Sequence, residues 1–369
     1  MPRETTPTTA GASKFRRYPP TTNRSLQVMS AADEWLLAWA AERIGPNDNP
    51  LVVHDRFGAV ALSLPQPVRF LATFHSQEEA LRRNSGTRPS PPIYTVFDAL
   101  DPVRRAVLRV PKSLELWEIY LAALAAAATP ETEAAAGFMT RHFTPRMLDI
   151  AGRYAGQVKQ STARKKARLL LLSDFHPPEG GGARALRKFI GYAGREYQQY
   201  YGVFSADHID YATQWLLEQW AVHPELRELN PATILDLACG NGIIGGELLR
   251  RYPQAVLTAT DDSLLAVESA RLNLPAERST VRYNHTLDAL GDDSQDQVVT
   301  NPPFHFGHEN NIEVSLGLFR QAHRVLRPGG HLVVVANRHL NYAVHLGGIY
   351  REVRELAVND KFVIYRCLV

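Results

Sequence analysis

From Thr233 the sequence runs TILDL, an apolar stretch interrupted by one acid, and after a Gly-containing turn it places Ile243, Ile244, Leu248 and Leu249 at helical spacing. The segment AVLTATDDS (Ala255 to Ser263) reads as a second strand closing on acids, and VVTN (Val298 to Asn301) as a third that must stop where Pro302 and Pro303 remove two ladder donors. A helical stretch follows, with Val314, Leu316, Leu318, Phe319, Ala322, Val325 and Leu326 on its apolar side. The run RPGG (Arg327 to Gly330) ends that helix, and HLVVVAN opens another strand. Strands alternating with helices predict an α/β fold with a mostly parallel, doubly wound sheet, whose ligands gather at the carboxyl ends of the strands.

The first half repeats this pattern in worn form. LVVHDRFGAVALSL (Leu51 to Leu64) lies over LDLACGNGIIGGEL with Gly58 on Gly242, VLRVPKS (Val107 to Ser113) over VVTNPPF with Pro111 on Pro302, and KARLLLL (Lys166 to Leu172) over KFVIYRC (Lys361 to Cys367). The anchors are spaced by 53 and 55 residues in the first half and by 60 and 59 in the second. The overlay predicts two tandem Rossmann-like domains, residues 25–185 and 186–369, behind a disordered tail over residues 1–24. In the first copy Val52 replaces Asp236, Arg56 replaces Gly240 and Val110 replaces Asn301, so its chemistry is lost.

Composition adds bounds. With 369 residues, 45% hydrophobic and 21% charged, the chain has the makeup of an ordinary globular protein with room for two domains. Its two cysteines, Cys239 and Cys367, form neither a disulfide framework nor a metal-ligand spacing, which suits a reducing cytoplasm. The longest apolar run, Tyr120 to Ala128, is too short to cross a bilayer, and the Thr-, Pro- and Arg-rich start has no secretory h-region. Net charge is +3, but residues 151–200 hold ten Lys and Arg against three acids, a local +7 that leaves −4 for the rest. That field favours a polyanion, and it reads also as a solvated face.

Three segments at strand ends carry chemistry. Gly240 and Gly242 permit close backbone approach at a strand-to-helix turn, and Asp261, 25 residues after Asp236, stands where an α/β site hydrogen-bonds a ribose diol. Together DLACGNG, Asp261, NPPFH and LRPGG resemble a Class I S-adenosylmethionine-dependent methyltransferase of the amino-methylating kind. With GVFSADHID (Gly202 to Asp210), VANRHLNY (Val335 to Tyr342) and NDKFVIYR (Asn359 to Arg366), the chain from about Ala31 onward resembles the guanine-N2 methyltransferases of bacterial ribosomal RNA, the large-subunit kind before the small-subunit kind.

The resemblance implies S-adenosylmethionine as cofactor and 23S ribosomal RNA as partner, for a cytoplasmic monomer that uses no metal. It implies cofactor contacts from Asp236, Ala238, Gly240, Asn241, Gly242, Asp261 and Asp262, adenine contacts from Asn284 and His285, and a covering loop at Phe204, Ser205 and Asp210. By itself that loop reads as a helix start capped by Ser205. Asn301 and the Pro302 carbonyl would accept the two N–H bonds of a guanine amine, Phe304 would stack on the base, and His305 would relay a proton or shape the pocket. Arg164, Lys165, Lys166 and Arg168 in the basic segment are the candidate RNA contacts of a first half that either grips RNA or only supports the second. Methylation of DNA adenine or of a protein glutamine, and a catalytically dead RNA-binding scaffold, stay open on the residues alone.

Overall fold

The computed structural model describes residues 15–23, 25–177, 180–205, 207–303, 305–306, 309–310 and 312–369, with the side chains of 305, 306, 309 and 310 left aside. The chain divides into two compact units, Met1–Ala185 and Leu186–Val369.

Unit 1 runs α1 (Ala31–Arg43), β1 (Leu51–Val53), β2 (Arg69–Leu71), α2 (His75–Ser85), β3 (Ile93–Tyr94), β4 (Val103–Arg109), α3 (Leu114–Ala126), β5 (Ala128–Met139), α4 (Pro145–Ala151), β6 (Ala155–Gln160) and β7 (Ala167–Phe175). Unit 2 opens with the hairpin β8 (Arg187–Tyr192) and β9 (Arg195–Tyr200). It continues α5 (Tyr211–Val222), α6 (Pro224–Arg227), β10 (Thr233–Leu237), α7 (Ile243–Arg251), β11 (Val256–Asp261), α8 (Leu264–Asn273), β12 (Ser279–Tyr283) and β13 (Gln295–Thr300). The short β14 (His305–Phe306) and β15 (Glu309–Asn310) precede α9 (Ile312–Val325), β16 (Leu326–Asn337), α10 (Tyr342–Leu346), β17 (Glu352–Val358) and β18 (Phe362–Leu368).

Each unit is built on a seven-stranded sheet, in the orders β3-β2-β1-β4-β5-β7-β6 and β12-β11-β10-β13-β16-β18-β17. Renumbered within each unit, the two orders are identical. In both, the strand beside the fifth runs antiparallel to it. The order reverses between β10 and β13, so the ends of β10, β11 and β13 meet at the crevice where a doubly wound sheet takes its ligand.

The sheet of unit 2 is apolar on both faces, as strands covered on each side by helices must be. Ile234, Val299 and Val333 pack with α5, α7 and α8 on one face, while Leu235, Val298 and Val334 pack with α9 on the other. By the period-2 rule Asp236 shares the face of Ile234, a carboxyl among aliphatic side chains. In unit 1 Val52 sits in the corresponding apolar cluster with Leu36, Val60, Phe70 and Val107.

The strand register corrects the overlay at one anchor. Val52 pairs with Val107, and Asp236 pairs with Val299. With Val52 over Asp236, the residue over Asn301 is therefore Arg109 and not Val110, and Pro111 falls on Pro303. The slip arises because the overlay matches the prolines as letters, whereas register is set by the ladder. The other two overlays hold: His54 and Ala238 share left-handed backbone at φ 58° and 59°, and Leu171 and Arg366 occupy the same place on the antiparallel pairs β5–β7 and β16–β18.

Two further expectations change. Residues 15–23, assigned to a disordered tail, are packed: Phe15 is buried, Arg16 exchanges two 2.8 Å hydrogen bonds with Asn84, and the Arg83 guanidinium lies 4.1 Å from the Tyr18 ring centroid. Aromatic residues in an otherwise polar segment supply the anchors. RPGG does not separate helix from strand, since α9 ends at Val325 and β16 begins at Leu326, with a register irregularity opposite Gln295 and Gln297 that absorbs the two glycines.

Candidate active site

The turn after β10 is built by three residues with left-handed backbone, Ala238, Gly240 and Gly242, at φ 59°, 56° and 81°. The two glycines are there for different reasons. A Cβ on Gly242 would meet the Leu274 side chain and the Ala270 backbone at 3.1–3.2 Å, so that position lets α7 and α8 pack. A Cβ on Gly240 would meet nothing within 4 Å. Its absence keeps open the space in front of the turn, where a ligand can approach the backbone.

Asp261, at the end of β11, fastens this turn. One carboxylate oxygen accepts from the Gly240 amide at 2.9 Å and the other from Ser263 at 2.8 Å. Burial raises its pKa, opposed by the amides of Ser263, Gly240 and Asp262. Asp236 is wholly buried; its Oδ2 accepts from the Gly245 amide of α7 at 2.8 Å, while Oδ1 has no hydrogen-bond partner. Burial pushes this carboxyl up to about 7, the Gly245 amide working against the rise and the nearby Asp261 adding to it. A buried oxygen without a donor marks a place where a cationic or N–H-bearing ligand is wanted.

Asn241 is spent within the protein, its Nδ2 donating to Gln199 at 2.9 Å and its Oδ1 accepting from Ile243 at 3.2 Å. Gln199, which sequence reasoning missed, donates in turn to the Ser205 carbonyl at 3.0 Å. It therefore ties the glycine turn to the Phe204–Ser205 segment. Its only signal was a polar residue in the pattern of an otherwise buried strand face. Phe204 is exposed, and Asp262 follows β11 directly at a half-buried position. At the edge of the site the Asn284 amide donates to the Asp261 carbonyl at 3.0 Å; its side-chain oxygen accepts from the Thr286 amide and closes a local turn, and half-buried His285 follows.

The cap of α5 is Asp210 and not Ser205. Asp210 Oδ2 accepts from the amides of Ala212 and Thr213 at 3.0 and 3.3 Å, while the Ser205 hydroxyl turns back onto His208. An Asp five residues nearer the helix outcompetes the Ser because capping requires the side chain to reach the second or third helical amide.

Asn301 lies at the end of β13, half-buried, with its Nδ2 donating to Asp210 Oδ2 at 2.8 Å and to Thr213 Oγ1 at 3.1 Å. Pro302 behind it is buried, and the Pro303 carbonyl accepts from the buried Ser315 hydroxyl at 2.5 Å. Thr300 is fixed by a 2.6 Å bond to the Leu237 carbonyl, which locks the ends of β10 and β13 together. Phe304 lies outside the described residues, as does the side chain of His305.

The four basic residues occur at the hairpin joining β6 and β7. Arg164 and Ala167 exchange backbone bonds at 2.9 and 2.8 Å around Lys165 and Lys166, both with left-handed φ. Arg164 lies 5.3 Å from the Trp35 ring centroid, Lys165 pairs with Glu34 at 2.8 Å, and Arg168 donates to Gln160 at 3.1 Å. Lys166 is exposed. Among the described residues no group of His, Cys, Asp and Glu could hold a metal ion, and no helix is long and apolar enough to cross a membrane.

Known proteins resemble both units. Residues 196–366 match the methyltransferase small domain, and residues 3–177 match the RLMG N-terminal domain. Ribosomal RNA large subunit methyltransferase G of Streptomyces coelicolor is 34% identical over 97% of this chain and 98% of its own length. The chain belongs to the ribosomal RNA large subunit methyltransferase G family. The Pseudomonas fluorescens member is 34% identical over 95% of this chain and 96% of its own. Among solved structures the T. thermophilus 16S rRNA N2 G1207 methyltransferase (RsmC), in complex with AdoMet and guanosine, has a TM-score of 0.75 at 22% identity, covering 92% of each chain. That likeness extends the shared fold through both units.

Proposed function

We propose that this enzyme transfers a methyl group from S-adenosylmethionine to the exocyclic N2 amine of a guanine in 23S ribosomal RNA, as a cytoplasmic monomer whose first unit binds RNA. The observation that carries the reading is the Asn301 amide, fixed at the end of β13 in the crevice that the Gly240 turn and Asp261 line. Large-subunit RNA is favoured over 16S RNA, DNA adenine and protein glutamine by the names of the relatives that match along almost the whole chain.

The residues present fit the cofactor. Asp236 Oδ1 is a buried acceptor in want of a donor, and the missing Cβ of Gly240 leaves a cradle. Asp236 and the Ala238–Gly242 turn would hold the methionine end and Asp261, with Asp262 beside it, the ribose diol; Asn284 and His285 would flank adenine, and the loop carrying Phe204 and Ser205 would cover it. S-adenosylmethionine supplies a methyl group made electrophilic by its sulfonium.

A guanine amine is a weak nucleophile because its lone pair is delocalised into the ring. Asn301 Oδ1 and the Pro302 carbonyl accept its two N–H bonds, and the fixed φ of the prolines keeps the acceptors from swinging away. Holding the nitrogen in one place with its lone pair free is the larger share of the catalysis. No strong base is needed, since the proton leaves after transfer.

The test is methyl transfer from labelled cofactor to 23S RNA, 16S RNA, duplex DNA and a glutamine-bearing release factor, followed by nucleoside mass spectrometry. N2-methylguanosine in the 23S sample alone is expected. Label in 16S RNA, or in adenine or protein, would replace the substrate named here.

A further inference from the structure

The amide of Asn301 has two ends of almost the same shape and opposite hydrogen-bonding character. A clamp for an amine works only if the oxygen, not the NH2, meets the substrate. Something must therefore decide which way the amide faces.

We propose that Asp210, with Thr213, is the positioning residue that makes this choice. Their side chains meet Asn301 from the N-terminal end of α5, at its cap and its third residue. Asp210 Oδ2 and Thr213 Oγ1 lie 2.8 and 3.1 Å from Nδ2. An ionised carboxylate accepts hydrogen bonds and cannot donate, so the amide end facing Asp210 has to be the NH2. Turned the other way, the amide would set Oδ1 against a carboxylate oxygen and lose the Asp210 bond, whereas the Thr213 hydroxyl, which donates as well as accepts, would follow either end; the choice is therefore made by Asp210, with Thr213 holding the second proton. With both protons of Nδ2 engaged, Oδ1 is the end presented away from α5. A negative charge on the N–H side also draws amide resonance toward the oxygen, making Oδ1 the stronger acceptor.

Asp210 thus serves three donors from one oxygen: the two helix amides and the Asn301 amide. It links the segment that follows Ser205 to the end of β13. Thr213 is 6% exposed, so its hydroxyl faces the protein interior and not solvent. Unit 1 has a counterpart of the same geometry. Arg109, over Asn301, reaches Asp33, the third residue of α1, at 2.5 Å. The contact between strand end and first helical turn is present in both units, but only in unit 2 does it hold a group with an acceptor end.

This inference rests on the amine-clamp reading, and its test separates the two. Asp210→Ser keeps a good helix cap but cannot reach the amide, Asp210→Asn keeps the reach without the charge, and Thr213→Val keeps the shape without the acceptor. On the full chain, kcat and KM for 23S RNA, the Kd for S-adenosylmethionine, and hydrogen exchange of the Asn301 side-chain NH2 by 15N NMR would be measured. The NH2 signal is assigned by its absence in Asn301→Ala.

The combined Asp210→Ser, Thr213→Val variant is expected to lose about 10²-fold in kcat. Its RNA KM and cofactor Kd should stay within about twofold of wild type, and the Asn301 NH2 should become rapidly exchanging. Asp210→Asn should lose roughly fivefold, the difference between a charge-assisted and a neutral hydrogen bond. A folded double variant with wild-type kcat and a still-protected NH2 would overturn the assignment. So would a cofactor Kd that weakens in step with kcat, which would return Asp210 to the cofactor. If wild type methylates no RNA, the substrate reading fails, and the exchange measurement still decides the role of Asp210.

Discussion

An amide in the helical turn after the first sheet strand, that of the third residue of α7 in unit 2 and of the first residue of a short 3-10 turn, Ala61–Ser63, in unit 1, is held by a buried carboxylate in both units, but the carboxylate comes from different places. In unit 2 Asp236, on the strand, accepts from Gly245; in unit 1 Asp55, on the loop, accepts from Ala61 at 2.9 Å. Gly245 and Ala61 are equivalent once Gly242 is laid on Gly58. Burial raises both acids, to about 7 and about 6. Their outward surroundings differ: Asp236 keeps an oxygen without a partner, whereas Asp55 also accepts from Phe57. The acid proposed for the ribose has no counterpart there either, since the ladder sets Ala72 of unit 1 over Asp261. The fold needs the helix amide satisfied, and the proposed cofactor site needs that to be done from the strand.

The sharpest way to break this comparison is to treat the two strand ends alike. Asn301→Ala should cost about two or more orders of magnitude in methyl transfer while leaving cofactor affinity nearly unchanged, read by a tritium-transfer assay beside isothermal titration. Arg109→Ala should leave transfer intact and destabilise unit 1 by about 1–3 kcal/mol, because buried Asp33 loses its charged partner and keeps only the bonds from Ser30. Denaturant unfolding checks the second. If Arg109→Ala abolishes transfer, the two units are not separable in this way.

Next in size is Asp261→Ala, which on the proposed assignment removes two charge-assisted ribose hydrogen bonds and should weaken S-adenosylmethionine by roughly 2–3 kcal/mol. Titration of the wild-type chain should give one site and not two, since Ala72 offers no such acid. A stoichiometry of two would restore cofactor binding to unit 1.

The acids make a smaller, pH-dependent difference. A carboxyl with a folded pKa above its unfolded value binds more protons when folded, so its contribution to stability is complete below about pH 4 and is lost as pH rises through about 6 for Asp55 and about 7 for Asp236. Asp236→Asn should raise Tm at pH 8 by a few degrees, about 2–4 °C for each kcal/mol recovered, and Asp55→Asn by less, because its NH2 would face one of the two amides, Ala61 and Phe57, that the Asp55 oxygens now accept from. Of the two, only Asp236 is assigned to the cofactor in the proposed function, so only Asp236→Asn should remove a tightening of cofactor binding by the ionised acid between pH 6 and 8. A flat wild-type profile over that range would detach Asp236 from the ligand.

The smallest effect expected is on RNA. Replacing Arg164, Lys165, Lys166 and Arg168 with Ala should lower the salt slope of RNA binding by roughly 0.7–0.9 for each phosphate that is no longer neutralised. The hairpin's links to Trp35 and Glu34 make part of that charge structural, so circular dichroism must show a folded protein before affinity is read. A folded variant with unchanged slope would leave unit 1 as a support alone.

Much of this was legible in the residues. Parallel strands show as short apolar runs, glycines mark the turn, and the prolines mark the end of β13, because each of these is a local constraint on the backbone. Arg109 was misplaced by one position because register is a property of the ladder between strands and leaves no mark on either strand alone. Thr213 and Gln199 were missed for a related reason. Each acts across 88 or 42 residues of sequence, on Asn301 and Asn241, and neither belongs to a recurring local pattern. Asp55 was passed over because an acid in a loop is ordinary until the amide it satisfies is known.

The displaced carboxylate of unit 1 also sets the order in which that half could change back. Val52→Asp alone would bury an acid in an apolar cluster, and the amide equivalent to the one Asp236 accepts from, that of Ala61, is already taken by Asp55. Asp55 would have to leave first, and its loss alone orphans the same amide. Both single steps run downhill in stability, and Arg56 and Ala72 would still need to be replaced before that half offered a cofactor site like the one proposed for unit 2. The duplicated half is therefore held in its present form by path as much as by use, a ratchet with a hydrogen bond as its tooth.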